Sequence, residues 1–112
     1  MPPGPFAASV GTLDVDHLER MTFGEKALER EVLEMFVAQS ARLLEALVTR
    51  PAETAALAHT LKGSARAVGA FKVAGCAATL ETAGQGDDAA LAALRDAVAE
   101  ARTAIEARLG RP

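Results

Sequence analysis

An all-α fold, an antiparallel four-helix bundle with a short additional N-terminal helix, is predicted by three features of this sequence. Apolar residues recur at three- and four-residue spacing over long stretches, and the stretches are separated by brief turn-forming segments. The composition favours helix as well, with 26 Ala in 112 residues, 4% aromatics and neither Trp nor Tyr. A chain of this length with half its residues hydrophobic can bury one core without disulfide or metal staples, so a single domain is expected.

The elements follow in order. Residues 1–12 hold three prolines and two glycines and are expected to form a flexible tail, leaving 13–110 for the domain. Asp14 can cap a short helix over 15–21, with Leu13 placed to staple onto Leu18. Thr22-Phe23-Gly24-Glu25 fits a capping box that opens a helix over 25–48. Its apolar stripe is Leu28, Val32, Met35, Phe36, Leu43 and Leu47, interrupted by the polar Gln39. Pro51 suits the first turn of a third helix reaching residue 70. A fourth runs over 71–83 with Val73, Cys76, Ala77 and Leu80 on one side. Gly84-Gln85-Gly86-Asp87-Asp88 is a turn ending in an N-cap, and a last helix aligns Leu91, Leu94, Val98, Ala101, Ile105 and Leu109 before Gly110 stops it.

Charge and composition narrow the functions. Twelve Lys and Arg against 15 Asp and Glu give a net charge of −3, against a chain-wide nucleic-acid surface. Every apolar run is broken by charges well short of a membrane span, so no membrane partner is expected. One Cys and a start without a basic leader make the cytoplasm the expected location. A nucleotide-binding glycine loop is missing, as is any metal-ligand spacing, so autophosphorylation from ATP and metal binding are not expected. Hydrolase chemistry is not expected either, because no Ser, Cys or carboxylate pairs with His59 on its own helix face.

The third helix carries the chemistry. On a wheel centred on Leu61, the residues Leu57, Ala65 and Val68 lie within about 40° and define the core face. His59 falls about 160° away, beside Gly63 and Arg66, with Lys62 on its flank at about 100°. Ala52, Ala55, Ala56, Ala67 and Ala70 keep this outer face small. A lone exposed His is by default chemically idle, but Gly63 costs about 1 kcal/mol in a helix interior, and its missing side chain opens room beside the ring. An ammonium at Lys62 suits a phosphoryl group. His17, among Asp14, Asp16 and Glu19, is a surface His and a poor acceptor.

His59-Thr60-Leu61-Lys62-Gly63-Ser64-Ala65, followed by Gly69-Ala70, Val73, Cys76 and Leu80-Glu81, resembles the signature of histidine-containing phosphotransfer (HPt) domains. The motif covers 58–81, and helix number and length extend the resemblance to about 13–109. The resemblance implies a stand-alone HPt protein of a two-component phosphorelay. His59 would accept a phosphoryl group from a receiver-domain aspartate and pass it to another receiver, with Nε2 as the accepting atom. The implied partners are receiver domains of a hybrid histidine kinase and of a response regulator. No cofactor of its own is implied, Mg²⁺ being expected on the receiver, and a monomer is expected. Lys62 matches the family lysine one turn on, and Gly63 the small residue admitting the partner. Gly63, Arg66, Ala55, Ala56 and Ala70 are the access and docking candidates. Arg66 is a partner contact, a second phosphate neighbour or a solvated charge. Gln39 either bonds between helices or reaches the edge of His59. The competing reading is a non-phosphorylated helical interaction module, whose dry interface would tend to exclude Lys62.

Overall fold

The structure, a computed structural model, describes residues 12–110. The tail expected over 1–12 lies outside the described residues apart from Thr12. Five α-helices account for the described chain: α1 (Val15–Met21), α2 (Lys26–Thr49), α3 (Thr54–Val68), α4 (Phe71–Ala83) and α5 (Asp88–Arg108), with a 3-10 turn at Pro51–Glu53. Among the described residues there is no strand.

Local chemistry sets most boundaries where the residue types place them. Asp14 accepts a hydrogen bond from the His17 amide at 3.0 Å and caps α1. Asp87 does the same for α5 through the Ala90 amide at 2.9 Å. The capping box at Thr22 does not form. The Thr22 hydroxyl instead donates back to the Leu18 carbonyl at 2.8 Å, and Glu25 caps α2 without a side-chain bond, because Phe23 (φ 55°) and Gly24 (φ 72°) turn left-handed between the two helices.

The third helix is shorter than its pattern. Pro51 opens a 3-10 turn, and α3 proper starts at Thr54, whose hydroxyl donates to the Pro51 carbonyl at 2.6 Å. It ends at Val68 because Gly69 adopts φ 87°, and the Ala70 amide then bonds the Ala65 carbonyl at 2.9 Å. A side chain at 69 would be strained on two counts: the positive φ, and a Cβ only 2.8 Å from the Asp14 carbonyl oxygen. Ala70 is therefore not on the outer face. It is fully buried at the head of α4, and its place among the docking candidates is withdrawn.

The core is built from Leu18, Leu33, Leu61, Val73, Leu94 and Ile105, all fully buried, with alanines such as Ala58, Ala65, Ala77 and Ala101 between them. Small side chains let the helices approach closely while the leucines fill the gaps. On α2 the register differs from the expected stripe. Leu33, Phe36, Ala46 and Leu47 face inward together with Glu29 and Ser40, whereas Met35 is 63% exposed and Leu28, Val32 and Leu43 are half-buried. Two polar residues occupy the seam because each is matched. Glu29 receives the Arg108 guanidinium at 2.9 Å through both oxygens, and the Ser40 hydroxyl donates to the Val37 carbonyl at 3.1 Å.

His17 is another correction. It is half-buried, its ring set edge-on to Phe71 with centroids 5.1 Å apart and its Nε2 enclosed. His17 thus packs against the start of α4 and is not the surface His that its acidic neighbours suggested.

Candidate phosphoacceptor site

α3 packs on α4 through Ala58, Leu61 and Ala65 on one side and Val73, Ala77 and Leu80 on the other, all buried in the common core. That seam fixes how the outer edges of the two helices meet. His59 on α3 and Glu81 near the end of α4 meet on the outer side of this seam. The His59 side chain is 67% exposed, and its Nδ1 lies 2.9 Å from Glu81 Oε2. A carboxylate can only accept, so the ring donates from Nδ1–H.

The other oxygen of the same carboxylate is also engaged. Lys62, its side chain 19% exposed, donates from Nζ to Glu81 Oε1 at 2.6 Å. The Lys62 hydrogen bond is the largest influence and holds the Glu81 carboxyl below the ordinary value of 4.5; desolvation opposes it, and the weaker His59 hydrogen bond lowers the carboxyl further. One ionised carboxylate therefore positions both a ring and an ammonium. Lys62 is a tethered cation rather than a freely mobile one.

The remaining candidates divide by position. Gly63 is exposed, and a Cβ added there would meet nothing within 4 Å, so the space beside the ring is open. Ala55, Ala56 and Arg66 are exposed on α3. Gln39 is half-buried and lines a shallow recess of about 180 Å³ between α2 and α3, with Met35, Phe36, Ser64 and Ala67. The partner of the His59 ring is Glu81, not Gln39.

Glu81 is the side chain of this cluster that the sequence left without a role. The expectation that no carboxylate pairs with His59 holds only on α3 itself, because the partner arrives from the next helix. A signal was present: Glu81 is the sole acid between Glu53 and Asp87, set among Lys62, Arg66 and Lys72 and next to a core leucine.

Residues 31–104 match the family model described as the Hpt domain. No curated protein and no solved structure matches the chain.

Proposed function

The chain belongs to the Hpt domain family, and from that premise we propose that it is a phosphorelay intermediate in which His59 Nε2 accepts a phosphoryl group from a receiver-domain aspartate and returns it to a second receiver. The bond from Glu81 to the far ring nitrogen carries this reading. Binding Nδ1–H selects the tautomer whose lone pair is on Nε2, the nitrogen left to react.

The step balances simply. The Nε2 lone pair forms the N–P bond as the P–O bond to the aspartate breaks, and the aspartate leaves as a carboxylate. The ring keeps its Nδ1 proton and becomes positively charged, a charge that the Glu81 carboxylate stabilises across 2.9 Å. Lys62 offers its ammonium to the phosphoryl oxygens from one turn away. Return transfer reverses each bond change.

Access fits a globular partner. Gly63, Ala55 and Ala56 keep the approach to the ring low, Arg66 faces an incoming acidic site, and the Met35–Ala67 recess supplies apolar contact nearby. In this reading the helices complete an antiparallel four-helix bundle with α1 as its cap. The protein works as a cytoplasmic monomer and needs no cofactor of its own, the Mg²⁺ residing on the receiver.

Phosphorylated receiver, labelled on its aspartate, supplies the test. Wild-type protein should take up acid-labile, base-stable label, and His59→Gln should take up none while keeping its helical circular dichroism. Substitution at so exposed a position should change stability by less than about 0.5 kcal/mol. Label on His59→Gln would remove the assignment, and no label on the wild type would return the chain to a non-phosphorylated interaction module.

A further inference from the structure

A second surface lies at the end of the molecule where α2 and α4 finish and α3 and α5 begin. Two chain reversals run side by side there, the 3-10 turn at Pro51–Glu53 and the Gly84–Asp87 turn, and between them opens a cleft of about 320 Å³. Its floor is apolar, made by Leu47, Leu80 and Leu91. One wall includes Val48, 51% exposed, and Pro51; the other carries Gln85, Asp87 and Asp88.

The shape of the second wall is held by backbone. Gly84 (φ 78°) and Gly86 (φ 95°) are both left-handed, and a Cβ at either would meet nothing within 4 Å. Conformation rather than crowding thus calls for glycine at both positions, and both glycines line the cleft as part of that wall.

The sign of the cleft follows from its charges. Two helix C-termini and two N-termini converge on it, each worth roughly half a charge, and these cancel. Arg50 and Glu53 pair at 3.6 Å beside the 3-10 turn and cancel as well. Asp87 and Asp88 remain, and no lining residue is basic. An apolar floor under an acidic lip complements an apolar side chain with cationic neighbours.

We propose that this cleft binds a segment of a partner protein that carries leucine-like side chains flanked by lysine or arginine. It begins at Thr54, only about 7.5 Å along α3 from His59, but its chemistry is opposite to that around Lys62 and Arg66. A receiver's acidic pocket suits the His59 surface, whereas the cleft repels acid and selects a basic segment. The two surfaces can hold different parts of one partner or two partners together. The inference stands whether or not His59 is phosphorylated.

The probe is a capped peptide, Lys-Lys-Leu-Leu-Lys-Lys, titrated into isotope-labelled full chain and followed by amide chemical shifts, with Glu-Glu-Leu-Leu-Glu-Glu as its opposite. The basic peptide should give saturable shifts at Val48, Gly86 and Leu91 with a dissociation constant of about 1 mM or tighter. Asp88→Lys, which leaves the Asp87 cap in place, should weaken binding at least about fivefold, and added salt should weaken it further. His59→Gln should bind like the wild type. The proposal is overturned by the absence of saturable shifts, by equal binding of the acidic peptide, or by shifts centred elsewhere. Movement of the same amides with protein concentration alone would also overturn it, because the occupant would then be a second copy.

Discussion

At the scale of single residues, one carboxylate holds both His59 and Lys62, and substituting it separates positioning from folding. Glu81→Ala should slow transfer to His59 by about 10- to 100-fold at saturating receiver. The ring ¹⁵N shifts of His59 should move toward the Nε2–H tautomer, and Glu81→Gln, which keeps an acceptor, should recover part of the rate. Wild-type rate and tautomer in Glu81→Ala would show that the contact is idle. The pH dependence has a definite sign. Because Lys62 and then His59 lower the carboxyl below 4.5, its contribution is complete above the unfolded value and is lost only as pH falls through the lower folded value. Glu81 therefore stays ionised near neutral pH, and its titration affects the rate profile only in acid. His59 was legible in the sequence because helical periodicity alone turns it away from Leu61. Glu81 was not, since its role depends on which helix packs beside α3, and no single-helix pattern contains that.

Element by element, the caps at Asp14, Asp87 and Gly110 were the most readable part, because each acts within its own few residues, through a side-chain carboxylate at the two aspartates and a left-handed backbone at the glycine. The register of α2 was the least readable. Leu28, Val32 and Met35 form one apolar line and Leu33, Phe36 and Leu47 another, and the buried line includes Glu29. Only Arg108, 79 residues away, makes that acid acceptable in the seam. Arg108 bonds Glu29 through Nε and Nη2 and reaches Glu19 from Nη2 at 2.9 Å, so it ties α5 to both α2 and α1. Arg108→Met should cost about 2–4 kcal/mol, since it leaves a carboxylate with 7% exposure unpaired. The Arg108 hydrogen bond holds Glu29 below 4.5 in the folded protein, so the stabilisation is present above that value and lost on acidification. Urea unfolding midpoints should differ widely near neutrality and converge as pH falls through the lowered folded value of Glu29. A gap that persisted unchanged in acid would mean that Arg108 acts through its methylenes rather than its charge.

For the whole molecule, net charge and local charge disagree in sign. The chain carries −3, yet the exposed surface near His59 presents Arg66 beside the half-buried Lys62, and a partner approaching from solution meets the local field first. Arg66→Glu should lower the association rate with a receiver at low salt, and the deficit should shrink as the screening length falls from about 10 Å at 0.1 M to about 3 Å at 1 M. Stopped-flow rates across ionic strength check this, and a salt-independent deficit would assign Arg66 a contact role instead of steering. No helix among the described residues is long and apolar enough to cross a membrane.

The left-handed Gly69 also orders events in time. Its carbonyl accepts the Asp14 amide at 2.9 Å, so the mooring point of α1 exists only once α3 has stopped and α4 has turned back. α1 should consequently be the first helix to let go, in partial openings that leave the His59–Glu81 end closed. Hydrogen exchange reads this directly: the Leu18 amide should exchange well ahead of Leu61, and simultaneous exchange of the two would make the whole chain one cooperative unit.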